Sequence, residues 1–216
     1  MSGKKMKLIE LEKVNKTIKG RNLLTDVTLT VDAGSITTLE GINGSGKTLI
    51  LKAMLGLIKT SGKVLVSGQK MAVSGRYPIR AGVLIENPSV LDEFSAFKNL
   101  KLIAELIGDI EESEIIDLLM YFDLPTDQKN TVKKFSLGMR QKLGIAQAML
   151  GRSELIVLDE PTNALDETSV QKLIDYIKVV NHAGSTFVVT SHDRDFLNQI
   201  STKRIKVKAG SIDEAL

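Results

Sequence analysis

Gly-Ile-Asn-Gly-Ser-Gly-Lys-Thr, at Gly41–Thr48, is the stretch on which the reading of this chain turns. It fits the pattern G-x-x-x-x-G-K-[ST]. It also stands where that pattern belongs, between an apolar run predicting a strand at Ser35–Glu40 and a helical pattern at Lys47–Ile58. Gly44 and Gly46 let successive backbone N–H groups turn toward one point, which makes an anion cradle at a helix N-terminus. Lys47 is expected to reach the β- and γ-phosphates of a nucleoside triphosphate, and the Thr48 hydroxyl to ligate Mg²⁺. Gly41, Asn43, Ser45 and Leu49 complete the expected nucleotide-binding set. A glycine-rich turn with a chance lysine fits the same string, so the rest of the chain has to decide.

Before the loop, Leu8–Val14 and Val27–Val31 alternate apolar and polar residues and read as antiparallel strands, followed by a turn at Asp32-Ala33-Gly34. After it, Thr60-Ser61-Gly62 breaks the helix, Lys63–Val66 is a short strand, and Gly82–Ile85 is a buried strand. From about Pro88 to Lys134 the texture changes. Ala96–Ile107 and Glu111–Phe122 carry apolar residues at helical spacing. Alternation then resumes: helix Leu137–Leu150, strand Glu154–Leu158, helix Glu167–Val180, strand Thr186–Thr190, short helix Arg194–Ile200, strand Arg204–Lys208. The pattern predicts an α/β core with a mixed, largely parallel sheet, an N-terminal antiparallel β portion and an inserted helical portion. We read one domain over 1–216, with the core at about 1–87 and 145–216 and the helical insert at about 88–144.

Four further motifs follow the first. Leu-Ile-Val-Leu-Asp-Glu-Pro, at Leu155–Pro161, is an apolar strand ending in two carboxylates. Asp159 is placed to hold Mg²⁺, directly or through water. Glu160 is then the candidate general base for an attacking water. The others are Phe-Ser-Leu-Gly-Met-Arg-Gln at Phe135–Gln141, Asn-Ala-Leu-Asp at Asn163–Asp166 and Thr-Ser-His at Thr190–His192. Taken alone, Ser136 is an ordinary helix N-cap.

The five motifs in this order resemble the ATP-binding cassette (ABC) ATPase family, over nearly the whole chain. The resemblance implies the ABC ATPase fold, ATP hydrolysis with Mg²⁺, and a head-to-tail dimer of the chain with itself. Ser136 and Gly138 then face the γ-phosphate of ATP held by the other copy, at the positive end of a helix. His192 is the implied switch histidine at the γ-phosphate, and Asp166 closes the D-loop. Phe135, Leu137 and Met139 depart from the family's common Leu-Ser-Gly-Gly-Gln. Ile18 stands where the family has an aromatic residue on adenine, so it would cover the base without a π contact. Glu86 stands where the family has glutamine, and its carboxylate could bind Mg²⁺ or its water. Ile-Glu-Asn-Pro from Ile85, with Ser-Leu-Gly-Met-Arg-Gln from Ser136, resembles the branch serving bacitracin-type and lantibiotic-immunity exporters. That implies an integral membrane permease as partner, docking near Pro88–Leu100, and a cytoplasmic protein peripheral on the cytoplasmic face of the membrane. The alternative is a soluble ABC-type ATPase with a regulatory or assembly role.

Composition sets bounds. The chain has 216 residues, 43% of them hydrophobic and 25% charged, as in ordinary soluble globular proteins. Its net charge of +3 is too mild to argue for nucleic acid as a partner. It has no cysteine and only His182 and His192, which excludes thiolate and histidine-rich metal sites. No apolar run has the length of a membrane-spanning helix. The basic N-terminal run Met1–Lys7 has no apolar core behind it, so it does not read as a signal peptide. Lys206 and Lys208 alternate with Ile205 and Val207, which reads as a solvated edge strand guarded by lysines or, alternatively, a lipid-facing basic patch.

Overall fold

Residues 6–73 and 75–215 are described by the computed structural model. Two strands open it, β1 (Lys7–Ile18) and β2 (Arg21–Asp32), then β3 (Ile36–Glu40) and α1 (Lys47–Met54). Three short strands follow: β4 (Ser61–Val66), β5 (Gln69–Lys70) and β6 (Ala81–Leu84). The helices α2 (Ala96–Ile107), α3 (Glu112–Tyr121) and α4 (Leu137–Met149) come next. The chain then alternates through β7 (Leu155–Asp159), α5 (Glu167–His182), β8 (Thr186–Ser191), α6 (Arg194–Ile200), β9 (Lys203–Lys208) and β10 (Ser211–Ala215). Residues 1–5 of the basic N-terminal run lie outside the described residues.

One sheet is antiparallel, in the order β2-β1-β4-β5. The other runs β10-β9-β3-β8-β7-β6 and is parallel except for β10. The architecture is α/β, as expected. Parallel sheets are covered on both faces, and β7 records this residue by residue. Leu155 and Val157 enter the core shared with the antiparallel sheet and α1, beside Ile9, Leu29, Ile50 and Val188. Ile156 and Leu158 enter the core under the helices, with Leu143, Leu173, Phe187 and Phe196. These four apolar side chains are fully buried, each contributing about 1.5–3 kcal/mol as an upper estimate.

Several boundaries differ from the sequence reading, for local reasons. β1 and β2 continue past their apolar stretches because the Lys19-Gly20 turn, with φ of 48° and 75°, carries the pairing to Ile18↔Arg21. α1 stops one turn early. Gly56 takes φ 66°, its N–H donates to the Ala53 carbonyl, and the Leu57 N–H donates to the Lys52 carbonyl at 2.9 Å. That is a left-handed helix stop, which a residue without a Cβ adopts without penalty. The edge-strand reading of Arg204–Lys208 is corrected. β10 pairs antiparallel along β9, so β9 lies inside the sheet. The alternation itself holds: Ile205 and Val207 are buried and Lys206 and Lys208 are exposed. Among the described residues no helix is long and apolar enough to cross a membrane.

What matters for the site is one edge of the parallel sheet. The carboxyl ends of β3, β6, β7 and β8 lie side by side, and the Gly41–Thr48 loop, Glu86, Asp159-Glu160 and His192 leave the strands there. Open α/β sheets bind ligands at that edge.

Candidate functional site

Lys47 begins α1 behind Gly46, and its side chain is 5% exposed. A buried ammonium needs partners. Its Nζ donates to the Gly41 carbonyl at 2.7 Å and the Ile42 carbonyl at 3.2 Å, and lies 3.1 Å from Glu160 Oε1. The lysine is thus folded back on its own loop and on the second carboxylate of β7.

The next residue starts a second chain of contacts. Thr48 Oγ1 donates to Asp159 Oδ2 at 2.7 Å. Thr190 Oγ1 donates to Asp159 Oδ1 at 2.6 Å and stands 2.9 Å from the Glu160 N–H, which donates to it. Asp159 is buried, with both oxygens occupied by hydroxyls. Glu160 takes φ 47°, a left-handed conformation that costs a residue with a Cβ of order 1–3 kcal/mol. Its Oε2 lies 2.8 Å from His192 Nδ1. The structure therefore brings together Lys47, Thr48, Asp159, Glu160 and His192. Two side-chain polar atoms among the described residues are buried without a hydrogen-bond partner, and both are here: Ser45 Oγ and Glu160 Oε1, the latter only ion-paired. Orphaned polar atoms at a glycine-rich loop fit a missing polar ligand.

A second group sits beside the first. Ser136 caps α4, its Oγ accepting from the Met139 N–H at 3.2 Å. Gly138 lies so close to the Asn163–Asp166 turn that an added Cβ would stand 2.7 Å from the Ala164 carbonyl oxygen. Gln141 is buried and donates to the Pro161 carbonyl at 3.2 Å, with the Glu160 carbonyl at 3.4 Å. Asp166 caps α5, accepting from the Ser169 N–H at 2.8 Å, and Ser169 holds its carboxyl below the usual range.

The remaining expected residues are placed differently. Gly41, Asn43, Gly44 and Gly46 form the loop as read, whereas the Leu49 side chain packs against the core. Ile18 is 45% exposed at the tip of β1 and does not line the cavity of about 650 Å³ beside the loop. Glu86 does not join Thr48 and Asp159, because its Oε1 lies 2.7 Å from Lys52 Nζ. His182 closes α5, with Nδ1 2.6 Å from the Lys178 carbonyl. Sequence reasoning missed Thr190 and Gln141 as positioning groups. The signal for Thr190 is a hydroxyl directly after the buried apolar run Phe187–Val189.

The site can hold a polyphosphate against backbone N–H groups and an ammonium. Beside it stand a hydroxyl–carboxylate pair of the hard-oxygen kind and a carboxylate with a histidine. A family model described as ABC transporter matches residues 24–163. YybJ of Bacillus subtilis (strain 168), an uncharacterized ABC transporter ATP-binding protein, is 33% identical over 95% of this chain and 95% of its own length. The lantibiotic transport ATP-binding protein SrtF of Streptococcus pyogenes is 36% identical over 86% of this chain and 80% of its own length. Bacitracin transport ATP-binding proteins are also among the relatives. A solved structure, described as that of an ATP binding subunit of an ABC transporter, superposes with a TM-score of 0.87 at 25% identity. It covers 97% of this chain and 89% of that one.

Proposed function

The chain belongs to the ABC transporter family, as one of its ATPases, and on that premise we propose that it powers export through a separate membrane permease. The lantibiotic and bacitracin transport relatives support antimicrobial peptides as cargo. One observation carries the nucleotide chemistry. Lys47, Glu160 and His192 converge within 3.1 Å and 2.8 Å at the edge where the glycine-rich loop opens.

The loop N–H groups and Lys47 bind the triphosphate, and Lys47 leaves the Gly41 and Ile42 carbonyls to do so. Thr48 Oγ1 and Asp159 Oδ2 would hold Mg²⁺. Among the described residues no cluster of three or more His, Asp or Glu could hold a metal alone, which suits a cation that arrives with phosphate and water ligands. When bound, Mg²⁺ neutralises charge on the phosphate oxygens. Glu160, released from Lys47, takes the proton of the attacking water, and His192 keeps that carboxylate aimed. Thr190 holds Asp159 and the Glu160 backbone in place throughout.

Ser136 and Gly138 act on ATP bound by a second copy. Both halves of a site lie on one chain, so a two-fold dimer completes two equal sites. Gln141 and the Gly138–Ala164 contact tie each half to the other. We read one cassette, with the helical subdomain at about 88–144 and the permease docking on its near surface. Leu91, Phe94 and Leu106 are exposed there, at 52%, 41% and 87%. The protein then works on the cytoplasmic face of the membrane. The test is Glu160→Gln with MgATP in gel filtration. It should hydrolyse poorly and accumulate as an ATP-bound dimer, and an active monomer would refute the assignment.

A further inference from the structure

α6 has seven residues, too few to fix their own place, so ties to the rest of the fold must set it. One face of β3, made by Ile36, Thr38 and Glu40, supplies them. Ile36 shares the helix-covered core with Phe196, Leu197 and Ile200. Thr38 Oγ1 lies 2.8 Å from Ser201 Oγ, just past the helix end. Arg194 Nε, in the first residue of the helix, lies 3.2 Å from Glu40 Oε1. α6 is thus fastened along β3 at both ends.

The carboxylate of Glu40 is out of keeping with its place. It comes directly before the glycine-rich loop, where bound phosphates would repel it. It is only 15% exposed, and among the described residues Arg194 is its only ion-pair partner. Its backbone is fixed, in register with Ser191 of β8 on one side and Lys206 of β9 on the other. Arg194, 81% exposed, reaches in to it from across a turn of two residues, His192 and Asp193. Asp193 shapes the far half of that turn. Its N–H donates to Ser191 Oγ at 3.0 Å, and its Oδ1 accepts from the Asp195 and Phe196 N–H groups. His192 has no such support. It is 55% exposed, and with Glu40, Gly41, Ile42 and Arg194 it borders a cavity of about 140 Å³. Among the described residues no other ion pair joins the 192–194 turn to β3.

We propose that Arg194, anchored on Glu40, is a positioning residue that sets where His192 stands and keeps its imidazole on Glu160. The pair ties the residue two past His192 to the strand beside the residue just before it, so the turn closes with His192 at its apex. The proposal rests on the nucleotide site described under Proposed function. A rival account has the arginine merely screen Glu40 from the phosphates. The two accounts differ in sign for Glu40→Gln. Screening makes that change tighten ATP binding and leave turnover alone, whereas positioning makes it slow turnover.

The first test needs no nucleotide. The sequence holds only two histidines, so the ring signals of His192 can be followed by NMR. With Arg194 in place, Glu160→Gln should move those signals, because the two side chains touch at 2.8 Å. In Arg194→Met protein the same substitution should move them by no more than about half as much. Arg194→Lys should restore the displacement, since an ammonium can also meet Glu40. The second test is hydrolysis at saturating MgATP. Arg194→Met and Glu40→Gln should each lower it by about two- to fivefold, and the double variant no further. Ring signals that respond equally with and without Arg194 overturn the proposal. So does a Glu40→Gln protein that binds ATP more tightly and turns over at the parent rate. A parent protein that hydrolyses no ATP refutes the nucleotide site instead, and this proposal falls with it.

Discussion

If the proposed dimer is right, replacing Gly138 with alanine should separate two jobs, binding the chain's own nucleotide and completing the site of a second copy. The new Cβ would stand 2.7 Å from the Ala164 carbonyl oxygen, where ordinary contact begins at 3.4 Å, so the helix start or the Ala164 turn must yield by several tenths of an ångström. Ala164 already sits at φ 62°, which leaves its turn little freedom to retreat. Overpacking of this kind costs about 1–3 kcal/mol. Alanine recovers about 1 kcal/mol over glycine inside a helix. The net loss is about 0–2 kcal/mol, which a domain of ordinary stability survives. At this chain length Tm should drop by no more than about 8 °C. Catalysis is less forgiving, because a displacement of about 1 Å can cost a hundredfold in rate. Hydrolysis at saturating ATP should therefore fall by about ten- to a hundredfold. The variant's own loop, with Lys47 and Thr48 untouched, should bind ATP as before. Phosphate release, calorimetry and a melting curve measure the three quantities. Wild-type hydrolysis, or ATP affinity lost in step with hydrolysis, would refute the division of labour between Gly138 and the loop.

Two further outcomes follow from placements in the structure. With Ile18 in place of an aromatic residue, ATP and GTP should differ in affinity by less than about a hundredfold. Ile18→Tyr should tighten both by about two- to tenfold if the side chain covers the base, and unchanged calorimetry would remove Ile18 from the site. Asp166→Ala should lower stability toward denaturant at neutral pH. The Asp166 carboxyl is held below its ordinary value in the folded chain, so its contribution is present above the unfolded carboxyl range and is lost as pH falls through the folded value. The gap between variant and parent should therefore close in acid, and a gap that widened there would contradict the capping role.

The sequence made most of this arrangement readable, for reasons that differ by element. Leu155–Leu158 announced a strand buried on both faces because no residue in it could face water. α2 was bounded correctly because Ser95 caps its start and its apolar residues repeat at helical spacing, while Gly108 ends it. The outer half of the β1–β2 hairpin was not readable from Asn15–Ile18, since a two-residue turn rather than an apolar face sets the register there. Ser211–Ala215 offers little apolar alternation to signal β10, and without it β9 reads as an edge. The five motifs identified the groups that meet at the sheet edge but not their resting partners. Lys47 on Glu160, Glu86 on Lys52 and Gly138 on Ala164 each join residues distant in the chain, and no local pattern encodes such a pairing.

The Gly41–Thr48 loop is held by residues from the far end of the chain. β3, which aims it, lies between β8 and β9, and the Gly210 N–H donates to the Ser45 carbonyl at 2.8 Å. On the ribosome Lys47 and Thr48 emerge long before those flanking strands exist. The β1–β2 hairpin can close early, being local, whereas the parallel pairs of β3 demand long-range closure, the slow kind of folding step. A nascent chain that has not reached β8 thus carries the entire phosphate-binding string with nothing to shape it. Nucleotide becomes a ligand only of the completed chain, and by binding that state alone it draws newly made molecules toward it.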